Sequence, residues 1–486
     1  MKEKIIANKW LVLAIAILTP IIGGALYMLR FHVGIGDLSI PCSEWNDEFW
    51  YYKMIESMIQ FGKPLGYYGY NESHALVGNL GGWSFVMLYP FVAIGKIFGW
   101  NYMTPIVINL VFWIIGFAVM AVALKPNLPA QTFISVAWLC FSVNIRYIFS
   151  ATPEALITVM FLLFAVAVIR YNRNTKAYGW LVLADVMIVG LTLMRGYYIL
   201  FIVIVMAAMF KESKKIDLRL IIQVIVAMLA VIGFVLIAHF CLAEYFVPDI
   251  NMDMLTHPKA FIKAILVGFI ESLQFVWQAI TLQSMRGSWY IIYFALFPYI
   301  VYKCLKTKDL VYYSVLFSWV VLIVAMWTLY RANEGCRHLM SCSVVYIMVM
   351  GYTQYKEKLA YIILAVLLYT NWFSQDEFYT KLFPKREEQM EAIADGQEKL
   401  NAVFELSDNE WDNTVISTRI TYFNDLYAIP VGFALNSCID DYVREHWDEL
   451  NSKYIAYRPD GPLNDFLAER CEVVTTYGDT VVYKIR

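Results

Sequence analysis

The chain has 486 residues, 60% of them hydrophobic and 16% charged, with a formal net charge of −2 and a mean hydropathy of +0.56. Its length would accommodate several soluble domains, but apolar runs of about 18 residues or more recur along it, which excludes a soluble protein. The small net charge hides an asymmetry: from Asp376 onward there are 22 acids against 11 Lys or Arg, and before it 18 against 27. A polytopic α-helical membrane part, residues 1–375, is therefore expected to precede a small acidic soluble α/β domain, residues 376–486.

The start, MKEKIIANKW followed by LVLAIAILTPIIGGALYML, combines a basic flank with about 20 apolar residues and no small-residue cleavage site. It reads as an uncleaved first span with its N-terminus inside. Four later clusters, RYNRNTK from Arg170, KESKKIDLR from Lys211, KCLKTKD from Lys303 and QYKEK from Gln354, mark cytoplasmic loops by the excess of Lys and Arg. The spans consistent with them are 104–124, 129–149, 153–170, 178–194, 197–210, 219–243, 287–304, 309–330, 336–353 and 357–373. With the first span they make about 11 crossings by the span-length rule, and the C-terminal domain falls outside the cell.

Parity requires that one early segment fail to cross. Residues 81–99, interrupted by Pro90 and Lys96, are the weakest, and read as a re-entrant or membrane-embedded part of a long external loop, residues 30–103. The stretch KAFIKAILVGFIESLQFVWQAITLQ, Lys259–Gln283, places Lys263, Glu271, Gln274 and Gln278 off its apolar face, which suits an interfacial helix better than a span. In the C-terminal part NTVIST and KYIAYRP read as strands, DDYVREHWDEL as a helix, and CEVVTTYGDTVVYKIR as a hairpin turning at Gly478-Asp479. It contains no nucleotide fingerprint or metal box. The eight cysteines lack metal spacing; Cys438 and Cys471 could pair if this part lies outside the cell, but read more readily as buried thiols.

This topology gathers the chemistry-bearing residues on the outer side: Asp47 and Glu48 among the rings of NDEFWYY, with Trp50 and Tyr51; His74; Glu154 in ATPEAL; Arg195 in LTLMRG; and Arg337 and His338 in RANEGCRHLM. A carboxylate there would take a proton from an acceptor hydroxyl attacking a sugar's anomeric carbon. Arginines would hold a departing phosphate, since the guanidinium binds it by two bonds and stays charged. Aromatic faces would take sugar rings. Each residue also has a plainer explanation: Asp47, Glu48 and Glu154 as acids at helix N-termini, Arg195 as a snorkelling side chain, and Arg337 and His338 as interfacial groups. Asp185 lies inside a span, where a buried hydrogen bond accounts for it better than chemistry at the outer face.

The order of these features resembles the glycosyltransferase C superfamily, and within it the protein O-mannosyltransferase and lipid A aminoarabinose transferase branch. Similar to that family are NDEFWYY after the first span, with Asp47 at the acid; LYPFVAIGKIFG, Leu88–Gly99; SATPEALITVMFLLFAVAVIRYNR, with Glu154 as its acid; LTLMRG, with Arg195 where Lys is usual; and Arg337-His338 where Arg-Tyr is usual. Glu154 also stands where Asp is more common. The resemblance covers about residues 1–345 in order and spacing, and it implies a polyprenyl-phosphate sugar donor used on the outer face with inversion at the anomeric carbon.

The resulting expectation is a multi-pass glycosyltransferase of the cell membrane that moves a sugar from polyprenyl phosphate to a glycan, lipid or protein acceptor. Asp47, Glu48 and Glu154 would serve catalysis, with Asp47 as general base. Arg195, Arg337 and His338 would bind the donor phosphate, and Trp50, Tyr51 and His74 would contact acceptor or sugar. Membrane lipid is a partner and nucleic acid is not. The scheme needs no cofactor, although clustered Asp47 and Glu48 leave room for a divalent cation. The alternatives are a transporter or flippase of lipid-linked sugars or polysaccharide, and a catalytically dead assembly protein of the same fold. Transport is disfavoured because charge gathers at one face rather than at the midplane.

Overall fold

The computed structural model describes residues 2–38, 46–62, 69–72, 84–241, 257–329, 332–351, 357–373, 386–418 and 425–485. Helix α1 (Lys2–Phe31) opens the chain, followed by α2 (Asn46–Phe61), strand β1 (Gly69–Tyr70) and α3 (Tyr89–Phe98). A bundle follows: α4 (Thr104–Leu124), α5 (Leu128–Leu139), α6 (Ser142–Arg146), α7 (Glu154–Arg173), α8 (Tyr178–Met194), α9 (Ile202–Ser213), α10 (Leu218–Cys241), α11 (Pro258–Thr281), α12 (Met285–Thr307), α13 (Leu310–Leu329), α14 (Ala332–Gly351) and α15 (Lys358–Phe373). The C-terminal part contains α16 (Arg386–Val403), β2 (Thr414–Thr418), β3 (Ala434–Cys438), α17 (Asp440–Glu445), β4 (Tyr454–Tyr457), α18 (Asn464–Arg470), β5 (Glu472–Tyr477) and β6 (Thr480–Lys484).

Among the described residues, eight helical stretches are long and apolar enough to cross a membrane, and four shorter apolar ones coincide with further predicted spans. Helix α7 is the axis of the bundle. It is apolar all round, and Phe161, Phe164, Ala165, Val166 and Ala167 are fully buried between α4, α8 and α14. Gly116 on α4 lets Val159 approach to where a Cβ would stand only 3.0 Å from its methyl.

The predicted basic loops share one face. Lys211 pairs with Asp309 at 2.6 Å, Lys303 and Lys306 reach Glu357 at 3.4 and 3.3 Å, and Arg219 joins Glu212 at 3.1 Å. Three helices end on this face with a lysine in the left-handed region, Lys125, Lys214 and Lys308, at φ of 49°, 52° and 52°. Lysine there suits the negative end of the helix dipole, while its backbone takes a conformation that glycine adopts more easily.

Two predicted elements differ in form. The span 129–149 is broken: α5 stops at Leu139, Cys140 and Phe141 turn the chain, and α6 leads into a 3-10 turn, Tyr147–Phe149. Carbonyls released near that turn are taken up by Asn109 on α4, whose Nδ2 donates to Tyr147, Ile148 and Ser150 oxygens at 3.1, 3.3 and 2.7 Å. Helix α3, with the turn before it, covers only Phe85–Phe98, too short to cross, as expected of the segment 81–99; residues 81–83 lie outside the described set.

Helix α11 meets the length rule for a span, yet its contacts place it across helix ends. Ser272 Oγ donates to the Trp327 carbonyl at 3.1 Å, Phe269 packs on the Trp327 ring at 5.2 Å, and Gly287 sits against the Ala279 carbonyl where a Cβ has no room. Trp327 is in the last turn of α13 and Gly287 in the first turn of α12, both remote from the basic face where these helices meet at 307–310. Ile262, Leu266, Ile270, Leu273 and Trp277 remain exposed on α11. These contacts fit the interfacial helix expected over Lys259–Gln283, while its length and composition also satisfy a span.

The C-terminal part carries a mixed six-stranded sheet of order β1-β3-β2-β4-β6-β5. Strands β2, β4 and the β5–β6 hairpin match the predicted ones, with Gly478 turning at φ 49°. The helix expected over Asp440–Leu450 ends at Glu445, and a 3-10 turn follows at Trp447–Glu449. Cys438 and Cys471 are both buried. The sheet's first strand is supplied from far upstream: Gly69 and Tyr70 pair in parallel with Asn436 and Ser437.

Candidate active site

At the face away from the basic loops, four helix ends converge: the starts of α2, α7 and α14 and the end of α8. The turn leading into α7 is built by the Asn109 bonds and by Ser150 and Thr152, whose hydroxyls stand 3.0 Å apart. Pro153 precedes the helix, so Glu154 occupies its first turn, where the dipole favours a carboxylate.

Glu154 is fully buried, and its Oε1 accepts from Arg195 Nη2 at 2.7 Å, with Arg195 also fully buried. Arg337 Nε stands 3.8 Å from the same oxygen, its side chain 11% exposed. Arg195 sits in extended backbone between α8 and the 3-10 turn Gly196–Phe201. Gly196 is required there, because a Cβ would lie 2.6 Å from the Phe234 ring of α10. Arg195 Nη1 also donates to the Tyr198 hydroxyl at 3.2 Å. The snorkelling explanation for Arg195 is thereby excluded: its guanidinium is held inside, on a carboxylate.

From the other side, α2 presents Glu48, fully buried, whose Oε1 accepts the Ala151 N–H at 3.1 Å. Tyr51, one turn on and 8% exposed, lies close enough to Arg195 to interact electrostatically with it. His338 is buried and stacks on Tyr197, centroids 5.9 Å apart and planes 24° from parallel. The structure thus brings Glu48, Tyr51, Glu154, Arg195, Arg337 and His338 into one region. Trp50 packs edge-on against Phe49 at 4.7 Å. Asp47 lies beside Glu48 in the first turn of α2, its side chain outside the described set, and His74 lies outside the described residues altogether.

Several contributors were not singled out from sequence. Tyr197 and Tyr198 follow Arg195 directly. Asn109 is an amide in an apolar span, a signal that does mark function or structural need. Arg146, only 4% exposed, lies over the Tyr147 ring at 5.9 Å. Asp185 accepts from Gln223 of α10 at 2.9 Å, the hydrogen bond anticipated for it. Among the described residues, no three His, Cys, Asp or Glu side chains gather closely enough to hold a metal ion.

The fold is similar to that of two solved membrane proteins. ArnT from Cupriavidus metallidurans bound to undecaprenyl phosphate matches with a TM-score of 0.53 and 11% identity over 98% of each chain, and in its apo state with 0.52. The Archaeoglobus fulgidus oligosaccharyltransferase, solved with Zn and sulfate, matches with a TM-score of 0.51 and 13% identity over 92% of this chain and 67% of that one. No family model and no curated protein matches the sequence. The polytopic helical bundle and small C-terminal sheet domain expected from the sequence are thus a fold shared with these proteins.

Proposed function

We propose that this chain is a membrane glycosyltransferase that moves a sugar from a polyprenyl-phosphate donor to an acceptor at the face opposite the basic loops. The observation carrying the proposal is the Glu154–Arg195–Arg337 cluster at the converging helix ends, in a fold shared with a protein solved on undecaprenyl phosphate. A lipid-borne phosphate leaving the anomeric carbon needs cations close to it and dry surroundings that strengthen them. Arg337, the more accessible arginine, takes the phosphate. Arg195 adds its field from behind, with its position set by Glu154. His338, stacked on Tyr197, borders the same region.

Asp47 is the general base for the acceptor hydroxyl, displacing the phosphate with inversion. Glu48 secures α2 to the turn before Glu154, and Tyr51, Trp50 and His74 serve acceptor or sugar. In this division residues 1–375 hold the chemistry and 376–486 the soluble part, outside the cell. Arginine supplies the charge, so no step is assigned to a metal.

The test uses the full chain in lipid vesicles with a panel of labelled polyprenyl-phosphate sugars, following release of polyprenyl phosphate. Release from one donor, lost in Asp47→Asn with donor binding retained, supports the assignment and names the sugar. Neither binding nor release across the panel sinks it and favours the transporter reading.

A further inference from the structure

The segment running from the first turn of α2 to Glu72 is gripped by the C-terminal domain at three places. Tyr427, in the 3-10 turn Asp425–Ala428 and 1% exposed, packs edge-on against Phe49 at 5.0 Å and tilted against Tyr52 at 5.6 Å. Tyr52 stacks on Tyr102 at 5.2 Å, and the Tyr102 hydroxyl accepts from Gln397 of α16 at 3.1 Å. Burial, and then the Glu56 charge, hold the Tyr52 and Tyr102 phenols above their ordinary range, so they pack as neutral rings. At the far end of α2, Gly432 faces Phe61, whose ring a Cβ would meet at 3.5 Å.

The third grip is the most specific. Asn71 donates its N–H to Ser437 O at 3.0 Å and accepts the Ile439 N–H on Oδ1 at 3.2 Å. Glu72, 7% exposed, accepts the Ser452 N–H on Oε1 at 2.7 Å and the Asn451 N–H on Oε2 at 2.8 Å. Both residues adopt left-handed backbone, φ 50° and 55°. Asparagine tolerates that region and glutamate much less, so the conformation persists only where the surroundings enforce it. A linker that merely kept the domain nearby would need none of these bonds.

Glu48, one turn before Tyr52 on α2, is bonded to Ala151, three residues before Glu154. The first turns of α2, which bear Asp47, are thus tied both to the C-terminal domain and to the turn leading into the charge cluster. We propose that the C-terminal domain positions the acid-bearing turn of α2 against the bundle, with Glu72 and Tyr427 as positioning residues. The proposal deepens, and rests on, the transferase reading. The arginines belong to the bundle, so release of the clasp would displace the acids and leave the cations in place. A shift of about 1 Å at a reacting group is enough to slow transfer by about a hundredfold.

The test compares wild type, Tyr427→Phe, and the double variant Glu72→Ala/Tyr427→Ala, each as the full chain in lipid vesicles. Three quantities are read: amide exchange of residues 46–61, affinity for undecaprenyl phosphate, and kcat for polyprenyl phosphate release. In the double variant, exchange in α2 rises by about tenfold or more while α7 and α14 keep their protection. Undecaprenyl phosphate affinity stays within about threefold and kcat falls by about tenfold or more. Tyr427→Phe, which keeps the ring, matches wild type throughout. Unchanged exchange in α2, a parallel loss of protection in α7 and α14, or a Tyr427→Phe as impaired as the double variant overturns the proposal. Should wild type release polyprenyl phosphate from no donor, the transferase reading fails, and the exchange pattern alone decides whether the domain orders α2.

Discussion

Glu154 and Arg195 form a 2.7 Å ion pair in which neither side chain reaches solvent. Such a pair is stable only because each partner cancels the other's burial. Removing one charge leaves the other stranded, at about 3–5 kcal/mol, whereas replacing both with apolar groups is often neutral. Arg195→Met is therefore expected to lower thermal stability in detergent by that amount, and Glu154→Leu/Arg195→Met to regain most of it. The double variant should still fail to release polyprenyl phosphate. Recovery of stability without activity separates the pair's structural part from its chemical one.

Arg337 stands at the edge of the pair with its side chain partly accessible. Arg337→Ala is expected to weaken undecaprenyl phosphate binding by about 2–3 kcal/mol, the worth of a charge-assisted contact. Arg337→Lys should restore only part, because an ammonium lacks the planar fork. Titration calorimetry on the two variants checks the order.

Glu48 is bonded to backbone, so its substitution should resemble the loss of a brace. Glu48→Gln keeps an acceptor for the Ala151 N–H but loses the charge, with an expected cost of about 1 kcal/mol. Turnover should fall less than in Asp47→Asn, for which about 10²–10⁴-fold is expected of a general base. Initial rates at saturating donor distinguish the two acids.

How much of this was legible in the sequence depends on the range of the signal. Lys and Arg clusters sort loops by face whatever the packing, and the clusters 211–219 and 303–309 do meet through Lys211–Asp309, with Glu357 bound to Lys303. Short motifs pointed to Glu154 and Arg195, but nothing local says that one carboxylate is bonded to that guanidinium 41 residues away. The break after Leu139 carries neither glycine nor proline, and becomes intelligible only with Asn109 facing it. Helix α11 satisfies a span by length and composition, yet Lys263, Glu271, Gln274 and Gln278 off its apolar face pointed to the interface, and Ser272 and Gly287 add contacts at the outer ends of α13 and α12. Strand β1 is two residues long, too short for any alternation to register.

Lys214 ends α9 in left-handed backbone on the basic face. Lys214→Gly should raise stability by about 0.5–1 kcal/mol, the relief of that conformation less the added freedom of the unfolded chain. Neighbouring Lys211 and Lys215 should preserve orientation. Thermal unfolding in detergent, with protease mapping of the loops, reads both.

The Cys438 thiol is pushed up to about 12 by burial and by the nearby Glu72 charge. At pH 8 only about one in ten thousand such thiols is ionised, so maleimide should leave it unmodified in the folded chain. Alkylation that appears in Glu72→Ala, followed by mass spectrometry, would report the opening of the sheet next to β1.

The pairing of β1 with β3 sets an order of events during synthesis. The hydrogen bond from Ile439 to Asn71 joins residues 368 apart, and between them lie α3 through α16. The upstream strand therefore emerges long before its partner and must wait until the last helix has been inserted and the C-terminal residues have reached the same side. A ribosome that stops early, or a single helix inserted backwards, leaves β1 and β3 on separate sides with no way to meet. Closing this sheet is thus a check on the topology, because it occurs only in chains whose crossings bring β1 and β3 to one side.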